Sequence, residues 1–275
     1  MATKIKRAIL YIALIILGLM CLLPFWLMMV NSTRSGVEIT HSFSFLPGHS
    51  LKDNWKVLFD YVNLFLGLFN SFKVAVPATL LTAYFSAITA FGMAMYNWKG
   101  NNVLFRVIVV FMMIPAQLSL IGFYNLCQKL HLIDSYIPLI IPAIASPGIV
   151  FFLRQYTKAT LSKSLMEAAR IDGASEIHIF HRIVLPIMAP GIATMSIGTF
   201  IGNWNSYLVP LILLNTPKKM TLPVMISTLN AATDLQKNQG AIYLGVAISV
   251  VPIIIAFCFF SKYIISSISA GSVKE

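Results

Sequence analysis

From Ala8 to Val30 the chain runs for 23 residues without a charge, directly behind Lys4, Lys6 and Arg7. A helix of that length crosses a bilayer core of roughly 30 Å. The run exceeds the apolar stretch of a cleaved leader, and Gly18-Leu19-Met20 before Cys21 makes a poor lipoprotein cleavage site. It is expected to remain as a first span with the amino end inside. Five more apolar runs follow. They cover about 71–96, 104–126 with Pro115 inside, 136–152 with Pro138, Pro142 and Pro147, 187–214, and 241–260. The prolines in the fourth run imply kinks or a broken helix, tolerated where neighbours or water satisfy the freed carbonyls.

Only 11% of residues are charged and 58% are hydrophobic. A soluble domain averages about 25% charged. The expected fold class is therefore all-α, a polytopic membrane protein with six transmembrane helices. Residues 1–70 form a first span and an external segment. Leu46-Pro47-Gly48 is a turn, and Asn54 to Phe59 begins an interfacial helix anchored by Trp55. Residues 71–265 form the core, with a long inner loop at about 154–183, and 266–275 are a short inner tail.

The net charge of +11 raises the question of nucleic acid. The placement of the cations favours the inner leaflet of a membrane instead. Twelve fall inside: Lys4, Lys6, Arg7, Lys99, Arg106, Arg154, Lys158, Lys163, Arg170, Arg182, Lys262 and Lys274. Eight fall outside: Arg34, Lys52, Lys56, Lys73, Lys129, Lys218, Lys219 and Lys237. Cys21, Cys127 and Cys258 are far apart in apolar or interfacial sequence, so neither a disulfide nor zinc is expected.

The inner loop holds the most specific local pattern, Glu167-Ala168-Ala169-Arg170-Ile171-Asp172-Gly173-Ala174 with Leu185-Pro186 twelve residues beyond Gly173. A capping box is expected, with the Ser164 hydroxyl accepting from the Glu167 amide and the Glu167 carboxylate reaching back. Gly173 is placed to end the helix in the left-handed conformation. Ser175-Glu176 looks like the start of a second short helix. Two small helices at a membrane edge, with alanines on one face, suit a groove on another protein.

These residues, together with Ile183-Val184-Leu185-Pro186, resemble the Glu-Ala-Ala loop of permease subunits in bacterial ATP-driven (ABC) importers. The closer resemblance is to the second permease of the maltose type of binding-protein-dependent sugar importer. It extends over about 54–265 and includes Asn70-Ser71, Met113-Ile114-Pro115, Leu130-His131-Leu132-Ile133-Asp134-Ser135 and Phe152-Leu153-Arg154-Gln155. Two departures stand out. Ser162 and Ser164 replace a usual Pro and Glu, so serine caps start the helix. His131 stands where glycine is common, at the turn of an external loop.

The resemblance implies the type I importer permease fold in the bacterial cytoplasmic membrane, with both termini cytoplasmic. It implies a second, homologous permease, two ATPase subunits and an extracytoplasmic sugar-binding protein as partners. Glu167, Ala168, Ala169, Arg170, Asp172, Gly173, Leu185 and Pro186 would couple to the ATPase. ATP and magnesium would sit on that partner, and this chain would bind no cofactor of its own.

The residues agree with such a division of labour. The apolar cores read as free of Asp, Glu, Lys, Arg and His, whereas an ion-coupled carrier keeps charge partners in the membrane. This points to an uncharged substrate and external power. The sequence holds no Gly-x-x-x-x-Gly-Lys-Ser/Thr loop, so any ATP site lies elsewhere. His178 and His181 beside Glu176 read as interfacial histidines rather than a metal site, and no catalytic constellation is present. Asn203, Trp204, Asn205 and Tyr207 form the densest polar and aromatic cluster in a core, the chemistry that holds sugars. Gln117, Tyr124 and Asn125 are weaker candidates for the same path. The competing reading is structural: Gly198 and Gly202 for close helix contact, asparagines bonding between helices, aromatics at the interface. A self-sufficient carrier or channel for a neutral solute, and a membrane scaffold, are the alternative functions.

Overall fold

In a computed structural model the protein is described over residues 2–232 and 235–272. Its elements, in order, are α1 (Ala2–Ser32), α2 (Gly36–His41), α3 (Leu51–Tyr61), α4 (Leu64–Met95), α5 (Asn101–Met112), α6 (Leu120–Lys129), α7 (Ile137–Ile140), α8 (Pro147–Thr160), α9 (Lys163–Ile171), α10 (Glu176–Ile179), α11 (Leu185–Trp204), α12 (Leu208–Leu213), α13 (Leu222–Ala232) and α14 (Leu235–Ser272). Among the described residues no strand is present. Five stretches are long and apolar enough to cross a membrane: Lys4–Ser32, Leu64–Met95, Ile137–Thr160, Glu176–Trp204 and Asn238–Ser261. Two shorter helices, Asn101–Met112 and Gln117–Lys129, pass the same test only as a pair bent by 86°; counted as one broken span they make a sixth. The all-α, six-span expectation holds, and its boundaries move.

Each shift has a local cause. The second span starts at Leu64, seven residues early, because the interfacial α3 ends at Tyr61 and only Val62 and Asn63 separate it from α4. The third run is not one helix. Pro115 is extended (φ −62°, ψ 124°), has no N–H to give, and begins a 3₁₀ turn at Ala116–Ser119. The fourth run breaks at Ala145 and Ser146, as its prolines imply, and Thr82 Oγ1 donates to the freed Ala143 carbonyl at 2.8 Å. It then continues to Thr160, so Arg154 lies inside α8 and not in a loop. The expectation of charge-free spans is corrected accordingly: Lys73, Arg154 and Arg182 sit within membrane-length helices, and Arg106 within the first helix of the bent pair. The helix that carries the last span runs on through Ser272, and Lys274 lies outside the described residues.

By compactness the chain forms two units. One comprises residues 1–68 and 221–252. Its polar centre is Asn54, whose amide donates to the Ser32 and Arg34 carbonyls at 2.8 and 2.9 Å. Gly240 passes against this point; a Cβ there would lie 2.2 Å from the Arg34 oxygen. The expected interfacial helix is α3, where exposed Trp55 stacks on Phe59 with ring centroids 4.8 Å apart.

The other unit comprises residues 69–220 and 253–275. Its core gathers Ala87, Phe91, Leu153, Met166, Phe180 and Met188 with their neighbours. At another end of the unit, Asp134 holds the segment after α12. Its Oδ1 accepts from the Asn215 and Thr216 amides at 3.0 and 2.9 Å. Its Oδ2 accepts from the Thr216 hydroxyl at 2.7 Å and from Lys219 Nζ at 2.8 Å. Lys219 and these Thr216 and Asn215 donors hold the Asp134 carboxyl well below the usual carboxylate range. Within the same loop His131 caps α6 from the left-handed region (φ 55°). The Leu132 amide donates to the Cys127 carbonyl at 2.9 Å, the 6→1 bond of a Schellman turn. The turn survives the loss of glycine at the expense of backbone strain.

Candidate functional site

The Glu-Ala-Ala helix is α9. Its interior uses Leu, Met, Glu and Ala, all good helix formers. The expected cap moves by two residues. Ser162, extended at φ −89° and ψ 146°, is the N-cap and accepts from the Leu165 amide at 3.3 Å. Ser164 donates to the Ser162 hydroxyl instead of capping, and Glu167 completes no box. Leu161 is buried ahead of the cap and fixes where the chain enters, which places the cap at Ser162.

At the far end Gly173 is left-handed as expected, at φ 79°. The Ala174 amide donates to the Ala169 carbonyl and the Gly173 amide to the Arg170 carbonyl, both at 3.0 Å. These two bonds make a Schellman turn, open to glycine because it carries no Cβ. Ser175 then caps α10, its hydroxyl oxygen accepting from the His178 amide at 3.3 Å.

The second small helix does not stand alone. α10 passes through a π-helical turn, Phe180–Val184, straight into α11. The wider turn has a reason in the sequence: Pro186 offers no N–H and its ring presses on the carbonyl four residues back. Leu185 and Pro186 therefore lie inside one continuous membrane-length helix from Glu176 to Trp204.

α9 buries one face and presents the other. Met166 and Ala169 pack into the core of the unit. Glu167, Ala168 and Asp172 are exposed, Ile171 is 86% exposed, and Ile177 on α10 is 74% exposed. An open cavity of about 580 Å³ lies beside this surface, bounded by Ala169, Asp172, Gly173, Ala174 and His178. Arg170 fixes the angle of the helix. Its Nε donates to Glu176 Oε1 at 2.6 Å, and its guanidinium lies 5.5 Å from the centre of the Tyr96 ring. The Tyr96 hydroxyl donates to Glu176 Oε2. Burial, and then the Glu176 carboxylate, push the Tyr96 phenol above its ordinary range. Tyr96 had no sequence signal, since it lies 80 residues from Glu176.

The polar cluster at the end of α11 is divided by the helix. Trp204 is 1% exposed, set between Phe72 and Phe200 with ring centroids at 4.8 and 5.7 Å. Asn203 instead lines a cavity of about 340 Å³ with Ser206, Ser119, Phe123, Pro138 and Pro142. Asn205 caps α11, and Asn205 and Tyr207 are both exposed at the break before α12. Tyr124 lines a second cavity of about 430 Å³ with Leu120 and Ile212, and Leu120 borders both. Gln117 and Asn125 are exposed and line neither. Ser206 follows Asn203 by three residues, a spacing that identifies the pair; Ser119 comes from the bend at Pro115 and had no such signal. A Cβ built on Gly198 or Gly202 would meet nothing within 4 Å beyond its own stretch of helix, so among the described residues this pair makes no close contact with another helix.

Apolar spans with a capped, two-faced polar helix between two of them are the arrangement that the sequence leads one to expect of an importer permease. Residues 64–269 match the family described as "Binding-protein-dependent transport system inner membrane component", and the chain belongs to that family. It is 34% identical to the Arabinooligosaccharides transport system permease protein AraQ of Bacillus subtilis (strain 168), over 98% of this chain and 97% of that one. It is 29% identical to the Lactose transport system permease protein LacG of Rhizobium radiobacter, over 96% and 95%. Its fold matches a chain in the crystal structure of a bacterial ABC transporter involved in the import of the acidic polysaccharide alginate (TM-score 0.78, 23% identity, 96% of this chain and 98% of that one). A second match is the alginate transporter in complex with an alginate pentasaccharide-bound periplasmic protein (TM-score 0.60, 16% identity, 94% of each chain).

Proposed function

We propose that this chain is one of two permease subunits of an ATP-driven importer that carries a sugar, of oligosaccharide size, across the bacterial cytoplasmic membrane. In this reading both termini are cytoplasmic. A binding protein outside delivers the sugar, and two ATPase subunits bind ATP and magnesium. The observation that carries the reading is the two-faced α9. Met166 and Ala169 tie it to the core, while Glu167, Ala168 and Ile171 are left for a partner. The relatives named above support sugar as the cargo class. The uncharged Asn203, Ser206 and Ser119 around the cavity supply hydrogen bonds suited to hydroxyls.

Mechanically, a partner that grips α9 moves Arg170, and through its bond to Glu176 moves the foot of the long α10–α11 helix. The test is a mild-detergent pull-down of the tagged chain, with mass spectrometry of what accompanies it. A second six-span permease and an ATPase are expected, with the ATPase lost in Gly173→Asp. Recovery of the chain alone, still moving solute in vesicles, would replace this reading with a self-sufficient carrier.

A further inference from the structure

Arg154 is a buried cation that the coupling arrangement does not use. It lies in α8 and is 7% exposed. Its guanidinium sits over the Phe105 ring of α5, 3.8 Å from the centroid, and Phe105 stacks on Phe151 at 5.7 Å. The ring satisfies the face of the cation and leaves its five edge donors to be matched elsewhere. Nε is enclosed and has no hydrogen-bond partner. Among the described residues no carboxylate pairs with Arg154, and neither α5 nor α8 contains Asp or Glu. A charge held this far from water needs an acceptor to offset its desolvation. The protein supplies the seat and lacks the anion.

We propose that Arg154 seats the phosphate of an anionic phospholipid. Three observations favour a lipid. The face of α5 that carries Phe105 is apolar and exposed two turns deeper at Met112, and Leu104 next to Phe105 is exposed as well, a surface for acyl chains. Arg154 is six residues from the end of α8 and Phe105 four from the start of α5, so the site lies about 6–9 Å in from the helix ends, within reach of a headgroup. The planar guanidinium matches two phosphate oxygens, and its delocalised charge tolerates the aromatic seat. Lys158, exposed one turn further along α8, adds positive potential where anionic lipid is held. The proposal takes only the inner-leaflet assignment from the proposed function; its failure leaves the coupling reading intact, because the pull-down tests that separately.

The experiment uses the intact complex with whatever subunits co-purify, placed in nanodiscs of phosphatidylcholine alone or with one quarter phosphatidylglycerol. Native mass spectrometry should count one more retained phosphatidylglycerol per complex for wild type than for Arg154→Gln, with Arg154→Lys between them. Lys73→Gln is the control, an exposed cation 4.4 Å over the Phe69 ring, and should retain the wild-type count. Because Arg154→Gln could fail to assemble, labelling of wild-type Arg154 by phenylglyoxal is read in parallel by peptide mass spectrometry. Labelling should fall severalfold when phosphatidylglycerol is present. Equal counts, or equal labelling in the two discs, overturn the proposal. Equal protection by inorganic phosphate in phosphatidylcholine discs also overturns it, in favour of a free-anion site. Protection that vanishes only when partner subunits are stripped away assigns the acceptor to a protein carboxylate instead.

Discussion

Arg170 and Glu176 meet at 2.6 Å across the left-handed turn at Gly173, one from the end of α9 and the other from the start of α10. Both are substantially exposed, so the pair contributes little to global stability. It links α9 to the long helix behind it across the Gly173 turn.

The first prediction follows from that turn. Gly173→Asp places a side chain where φ is 79°, with open space around it, so the penalty is conformational, roughly 1–2 kcal/mol. The chain should still reach the membrane at near-normal levels, while uptake and stimulated ATP hydrolysis come apart. Glu167→Ala should do the same without the strain. Membrane abundance, uptake and ATPase rate measured together decide this; unchanged uptake in both variants removes α9 from the coupling role.

A second prediction separates the two halves of the α11 cluster. Trp204→Ala removes a buried ring between Phe72 and Phe200 and should cost about 3–5 kcal/mol, seen as a large drop in the detergent melting temperature. Asn203→Ala should leave melting nearly unchanged and alter the apparent affinity for sugar in uptake. Loss of affinity in a stable Trp204 variant would reverse these assignments.

His131→Gly is expected to stabilise. The position is left-handed at φ 55°, where histidine carries strain and glycine does not. The gain should be about 0.5–1 kcal/mol after glycine's greater freedom in the unfolded chain is counted. A thermal melt of the purified chain reads it; a lowered midpoint would mean that the His131 side chain does more than turn the backbone.

Asp134 makes the stability of its loop acid-sensitive. Its folded-state carboxyl is held below the unfolded value of about 3.9 by Lys219 and Thr216. A depressed group contributes stability above the unfolded pKa and loses it as pH falls toward the folded one. Melting midpoints measured downward from pH 5 should therefore fall in wild type and fall less steeply in Asp134→Asn. Identical slopes would show that other carboxylates govern the acid limb.

Gly240→Ala should prevent normal assembly of its unit, since the added carbon would stand 2.2 Å from the Arg34 carbonyl oxygen and 2.4 Å from Asn54 Nδ2. Protease resistance of the variant compared with Gly240→Ser offers a direct check; both should be cleaved faster than wild type.

What was legible in the chain was whatever depends on runs and on local backbone chemistry. Six apolar stretches announced six crossings because length against bilayer thickness is a one-dimensional test. Gly173 and Ser175 announced a cap and a new start because capping is decided within four residues. Two kinds of error have equally physical origins. The Ser164 cap was displaced to Ser162 because two serines are equivalent in sequence, and only the burial of Leu161 distinguishes them. Trp204 and Asn203 looked like one cluster because adjacency in sequence is not adjacency in facing. On a helix they point about 100° apart, one into the core and one into the cavity. The sequence puts Arg154 in a loop because a cation usually ends an apolar run, whereas in the fold Phe105 receives it. Tyr96 and Ser119 reach their sites only through tertiary folding, and no spacing along the chain encodes that.

The unbroken passage from Glu176 to Trp204 makes that helix a lever arm about 43 Å long at roughly 1.5 Å per residue. The π turn at Phe180–Val184 lies near one end, and Pro190 interrupts the hydrogen-bond ladder six residues further on, so the two softest places in the helix both lie in its first half. The half that leads to Trp204 holds no further proline, and its far end carries Asn203 to the cavity. Under the proposed function, bending at the foot would therefore concentrate in the first half and leave the geometry around Asn203 to move as one piece.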